Sequence, residues 1–287
     1  MNIAVFADIH GRILLSFKVA ERFQRETGQK IDLILQCGDM GIFPNLSKLD
    51  KATIRHADKD ETELGFNNDF IHPKKEVEKI LSKINCGLIC VRGNHDDHDF
   101  LDELEQKTED ALFSVDCYKR IYVLKTGYLY SFTSENTSLN LFGIGRVGPP
   151  IGETEKNKPK YIQEYEQNMI LKLKDMDIDI LLTHDAARNF VKEGFGMEEI
   201  RYTLDTHKPA YHFFGHTGKP FERKMDPNGV TVSSKMSDFE WEESDRGMSL
   251  KPGCFGILQW KNSKNHSLTI VKEPWLKEYT CHTWKYL

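Results

Sequence analysis

Residues 87–96 read GLICVRGNHD. The run Leu88, Ile89, Cys90, Val91 is apolar without helical spacing, so residues 87–92 read as a short buried strand. Gly93 then turns the chain, and Asn94, His95 and Asp96 follow directly off the strand end. The same event recurs along the chain. Residues 2–7, NIAVFA, run into Asp8 and His10. Residues 31–36, IDLILQ, run into Cys37-Gly38-Asp39. Residues 178–183, IDILLT, run into His184, and a strand over 210–215 runs into His216. One such residue alone reads as a helix cap or a loop hydrogen-bonder. Five in order, each at a strand end, read as one site, because in open α/β sheets functional side chains gather beyond the carboxyl ends of the strands.

Around these strands the pattern is mixed. Leu15, Val19 and Phe23 recur at helical spacing and Thr27-Gly28 stops that helix. Residues 74–84 form an amphipathic helix with Val77, Ile80, Leu81 and Ile84 on one face. Asp97 and His98 open a further helix, with acids near its N-terminus. Helices are also expected over about 161–175 and near 197–205. Strands at about 121–125, 128–132 and 139–144 suggest a meander. The stretch 44–73 reads as a polar loop, and 145–160, with Gly148, Pro149, Pro150, Gly152 and Pro159, as a mobile loop that shapes substrate choice. In the tail, GVTVSS, CFGILQW and HSLTIV read as antiparallel strands covering a sheet. The expectation is an α/β chain with a single domain over 1–287, its strands from about 229 completing the architecture.

The chain has 287 residues, 39% hydrophobic and 29% charged, with a net charge of −5. No global basic field draws it to nucleic acid. No window holds the apolar run of a membrane span, and the start lacks a signal peptide's basic leader. Six scattered cysteines without C-x-x-C read as reduced thiols, so a cytoplasmic location is expected.

The chemistry of the set is that of a metal site. Asp8 and His10 are alternate residues of an extended segment and can point the same way. A carboxylate at Asp39 could bridge two cations. Asn94 offers a neutral oxygen, and His184 and His216 offer imidazoles. Mixed nitrogen and oxygen donors suit Mn, Fe, Zn or Ni better than Ca or Mg. Two such ions can clamp an in-line displacement at phosphorus and ionise water. His95 points away from its neighbour Asn94 and could protonate a departing oxygen.

The ordered set D-x-H, G-D, G-N-H-D, H, G-H resembles the calcineurin-like metallophosphoesterases. The resemblance implies two sheets sandwiched together with helices outside. It implies Asp8 and His10 on a first divalent transition metal and Asp39 as the bridge. Asn94, His184 and His216 would hold a second metal, and His95 would be the catalytic histidine. Within the family the texture is closest to RNA lariat debranching enzymes, through IDLILQCGDMGIFPNLSKL (31–49), IDILLTHDAAR (178–188) and PAYHFFGHTGKPF (209–221). Those enzymes often carry Cys where this chain has Asp8. The likeness implies a phosphodiester substrate of nucleic-acid or nucleotide type, RNA or DNA included.

The family motif ends G-H-x-H, and here its second histidine is replaced by Gly218. The first metal is therefore expected to bind more weakly than the second. His212, His207, His266 and His282 are not expected to replace that ligand. Arg12 and Arg146 are candidate phosphate binders, with solvated surface roles as the blander reading. Trp241, Trp260, Trp275 and Trp284 read as packing residues before base-stacking ones. Two other functions share these residues: a phosphomonoesterase, and a degenerate member that binds a ligand or partner without turnover.

Overall fold

The computed structural model describes residues 1–173, 176–244 and 247–287. Two mixed sheets carry the chain. The first contains β1 (Asn2–Phe6), β2 (Leu33–Gln36), β3 (Leu88–Cys90), β4 (Leu112–Ser114), β5 (Ile121–Leu124), β14 (Gly256–Asn262) and β15 (Asn265–Ile270). Its order is β15-β14-β1-β2-β3-β5-β4. The second contains β6 (Leu129–Ser134), β7 (Thr137–Ile144), β8 (Ile180–Thr183), β9 (Tyr211–Phe214), β10 (Glu222–Met225) and β11 (Val232–Lys235). Its order is β10-β11-β9-β8-β7-β6. Each sheet has a parallel centre, β1-β2-β3-β5 in one and β7-β8-β9-β11 in the other, edged by antiparallel strands. A two-stranded hairpin of β12 (Trp241–Ser244) and β13 (Gly247–Leu250) stands apart.

Period-two alternation sorts the side chains into layers. Ile3, Val5, Leu33 and Leu35 of the first sheet meet Leu141, Leu182 and Phe213 of the second in one buried core. Ala4, Phe6 and Ile34 point the other way, under α1 (Ile13–Thr27). Phe142, Ile144 and Leu181 point outward under α6 (Glu164–Lys172) and α7 (Glu198–His207). The result is the expected sandwich, helix on sheet on sheet on helix. Both central strands of a parallel sheet are buried on both faces, which is why they read as unbroken apolar runs. Trp260, Trp275 and Trp284 are buried in these cores, as packing residues would be.

Several expectations need correction. The meander is split between sheets: β5 ends the parallel run of the first, and only β6 and β7 form a hairpin, in the second. The strand within GVTVSS is antiparallel to β10 on one side but parallel to β9 on the other, and CFGILQW and HSLTIV supply antiparallel strands. The stretch 44–73 is not a bare loop. It holds α2 (Lys51–Ala57), α3 (Gly65–Phe70) and two 3-10 turns, and Asp50 caps α2 by accepting from the amides of Ala52 and Thr53. The helix expected over 161–175 spans Glu164–Lys172, and residues 174 and 175 lie outside the described residues. The remaining helices, α4 (Lys75–Leu81) and α5 (His98–Glu105, capped by Asp97), fall where the sequence places them. All six cysteines are free thiols, and no helix of the described residues is long and apolar enough to cross a membrane.

Candidate metal centre

The strand ends of both sheets meet at one edge of the sandwich. Asp8 follows β1, Asp39 follows β2, and Asn94 and His95 follow β3. His184 follows β8 and His216 follows β9. Asp8, His10, Asp39 and His216 all hold left-handed backbone, with φ of 47°, 46°, 54° and 64°. Non-glycine residues adopt that region at a cost, and such residues cluster at functional sites. The glycines of the motifs allow the loops to close on one another. A Cβ on Gly93 would overlap the Asp39 carboxylate, and one on Gly215 would overlap that of Asp8.

Two groups of donors result. Ligand atoms of Asp8, His10 and Asp39 lie within 4.8 Å of one another, as do those of Asp39, His184 and His216. Asp39 belongs to both groups through different oxygens. Its Oδ1 is 3.3 Å from His184 Nε2, and its Oδ2 is 4.0 Å from His10 Nε2. Asn94 Oδ1 lies 3.1 Å from His184 Nε2 and so joins the second group. The six residues singled out as ligands thus stand together, and His95 stands beside them, its ring centroid 5.6 Å from that of His10.

The hydrogen bonds orient these side chains. His184 Nδ1 donates to the Cys37 carbonyl at 2.9 Å, which leaves Nε2 facing Asp39. Asp8 accepts from the His216 amide at 3.0 and 3.1 Å through its two oxygens. Among the described residues the rings of His10 and His216 take no hydrogen bond. Asp96 is structural: it accepts from the amides of Ile42 and Gly93 at 2.9 and 2.8 Å and so braces the turn that carries Asn94.

The electrostatics suit cations. Burial, and then Asp39, pushes the Asp8 carboxyl up to about 7 against the pull of His184. Burial lowers His10 to about 4 and also lowers His216, so both imidazoles are neutral and available to a metal. Burial opposes charge on His184, but Asp39 and Asp8 outweigh it and carry the group up to about 10. A proton there sits where a cation would compensate the same carboxylates. Buried carboxylates beside unpartnered neutral imidazoles are a donor set that fits divalent transition metals.

The loop 44–73 adds a residue that the sequence reading missed. His95 Nδ1 lies 2.9 Å from Asp50 Oδ2. Burial lowers the His95 pKa, but the Asp50 hydrogen bond and Asp39 outweigh it and raise it to about 9. The signal for Asp50 in the sequence is only that of a helix cap.

Both arginine candidates are corrected. Arg12 is buried and its guanidinium bonds Asp60 at 2.7 Å and Glu63 at 3.0 Å. Arg146 is buried between Glu166, at 3.0 Å, and Asp102, at 2.8 Å, and also donates to the Pro159 carbonyl. Their charges are spent within the fold. His212 is a packed residue, buried with Nε2 2.9 Å from Thr183 Oγ1. Gly218 has φ of 61° and open space around its missing side chain.

The calcineurin-like phosphoesterase family model matches residues 1–220. The chain belongs to that family, whose members are metal-dependent phosphoesterases. A comparison with curated proteins returned no match. Among solved structures, the chain is similar to TT1561 of Thermus thermophilus, with a TM-score of 0.52 and 15% identity over 94% of this chain and 99% of that one. At that identity the likeness bears on the fold alone. A Staphylococcus aureus protein provisionally designated a 5′-nucleotidase also matches, with a TM-score of 0.47 and 15% identity over 94% of this chain and 53% of that one.

Proposed function

We propose that the protein is a metal-dependent phosphodiesterase acting on a nucleotide or nucleic-acid phosphodiester. One observation carries the choice of diester. The centre opens into two cavities, of about 320 and 400 Å³, and both are lined by Asn94 and His216. A phosphodiester bears an ester group on each side of phosphorus, and each group then has a space. A monoester would leave one of them idle. The resemblance to RNA lariat debranching enzymes, read from three sequence segments alone, is what suggests a nucleic-acid substrate. Of the five acids lining the first cavity, Glu63 pairs with Arg12, Asp238 with Lys235 and Glu240 with Lys251, so Asp8 and Asp39 are the two left for cations to balance.

In this reading Asp8, His10 and Asp39 hold one ion, and Asp39, Asn94, His184 and His216 hold another. Divalent ions bound there supply charge for the phosphoryl oxygens and lower the pKa of water. Asp39 keeps the two positions close while balancing both charges. The Cys37 carbonyl holds the Nδ1 proton of His184, so an ion displacing the other ring proton would find Nε2 as the donor. The oxygen of water bonds to phosphorus, and the ester oxygen on the opposite side departs. His95 gives its proton to that oxygen, and one proton of the water passes to solvent. Asp50 holds Nδ1, so the Nε2 proton faces the departing group. The products are an alcohol and a phosphate monoester.

Hydrolysis of bis-p-nitrophenyl phosphate against p-nitrophenyl phosphate, with added Mn²⁺, tests the proposal. Preference for the diester is the expected result. Preference for the monoester replaces the reading with a phosphatase, and silence on both, with metal bound, replaces it with a binding protein.

A further inference from the structure

The second cavity has its own chemistry. Its floor is Asn94 and His216, and its walls are the loop after β7 and the loop after β8. Asp185 is buried and joins the walls, accepting from the Ala186 amide at 2.7 Å and the Gly148 amide at 3.1 Å. Phe195 is half-buried in one wall. Its ring lies within 12° of parallel to the His216 imidazole, with centroids 6.3 Å apart. Ile151, 78% exposed, forms an apolar lip. Lys160, Arg188 and Lys192 also line the cavity, facing only Asp185 and Glu193 as acids. Lys192 Nζ is 5.8 Å from the Phe195 centroid, and neither Lys160 nor Lys192 has an ion-pair partner among the described residues. Arg188 pairs with Glu198 at 3.3 Å, but that glutamate is exposed and the pair is screened.

The first cavity differs. It is rich in carboxylates, and it alone of the two is lined by His95. A group that takes its proton from His95 leaves through the first cavity. The half of the substrate that keeps phosphorus then lies on the other side, over Asn94 and His216.

We propose that the second cavity is a nucleoside seat, in which Phe195 stacks on the base of the half that retains the phosphate and Lys160, Arg188 and Lys192 attract its backbone. The assignment of this half rests on the hydrolytic reading above; the seat itself rests on the cavity. An aromatic face beside cations in a groove is the combination that binds single nucleotides without reading their sequence. It accounts for the position of the loop 145–160, which supplies Ile151 and Lys160, so the substrate-shaping role expected of that loop is carried by these two residues.

Titration calorimetry on the Mn²⁺-loaded protein tests the seat, with a nucleoside 5′-monophosphate and a nucleoside 3′-monophosphate compared with inorganic phosphate. At least one nucleotide binds tighter than phosphate by about 10-fold or more. Phe195→Ala removes that advantage, about 5- to 100-fold for a stacked base, and leaves phosphate affinity unchanged. Phe195→Tyr retains the advantage, which separates stacking from loss of structure. Equal affinity for nucleotides and phosphate in the native protein overturns the proposal. So does a Phe195→Ala effect that is equal on both ligands in a protein with native circular dichroism. Hydrolysis failing while Phe195-dependent nucleotide binding persists overturns the catalytic reading alone; hydrolysis persisting without such binding overturns the seat alone.

Discussion

The two halves of the centre share Asp39 but are built differently. Around Asp39, Asn94, His184 and His216 the donors are closely spaced: Asn94 and His216 are half-buried, but His184 is fully buried, its tautomer is set by the Cys37 carbonyl, and its Nε2 is within 3.3 Å of both Asp39 and Asn94. Around Asp8, His10 and Asp39 the donors are looser. His10 is partly exposed, its closest approach to Asp39 is 4.0 Å, and Gly218 leaves open space where the family pattern has an imidazole. A site made of pre-set donors loses less freedom on binding a cation than one that must gather them. The family motif completes the first site with a second histidine; with Gly218 in its place, we propose that the half at Asp8 and His10 binds its ion more weakly than the other.

The shared residue is where that contrast collapses. Asp39→Asn takes a ligand from both halves, so both ions are lost and activity falls to that of the metal-stripped protein. Elemental analysis checks this, and full retention of one ion would remove Asp39 from the bridge. His95→Ala sharpens the contrast from outside, because His95 belongs to neither half. Metal content stays as in the native protein while turnover falls about 10²–10⁴-fold. The loss is larger for a poor leaving group than for nitrophenolate, and equal rates with both would end the assignment. Asp50→Asn is the milder version. Its loss leaves Nδ1 of His95 without its acid, and turnover falls about 10–100-fold, in line with other orienting partners of histidines. An unchanged rate with a poor leaving group would make Asp50 only the cap of α2.

How much of this was legible in the sequence follows from the same contrast. The convergence of the candidate residues was readable because each follows an apolar strand buried on both faces, and Gly38, Gly93 and Gly215 mark the turns. What stands beside them was not. The loop 44–73 is polar, and its helices are short, six or seven residues each, so no apolar period announced them. Asp50 therefore read as loop although it meets His95, 45 residues away. Arg12 and Arg146 read as free cations because their partners are distant in sequence: Asp60 and Glu63 for one, Glu166 and Asp102 for the other. A charge near a motif can be seen in a sequence; whether another charge already satisfies it is a property of the fold. The loss at Gly218 was visible as a missing histidine, but its φ of 61° was not. That angle means Gly218→His has room yet costs about 1–2 kcal/mol of stability.

The unequal pair of sites is the central claim, and titration calorimetry of the metal-free protein with Mn²⁺ tests it most directly. Two binding events are expected, separated by about 10-fold or more in affinity, and His10→Ala should remove the weaker one while leaving the tighter. Two indistinguishable sites in the native protein, or loss of the tighter event in His10→Ala, would contradict it.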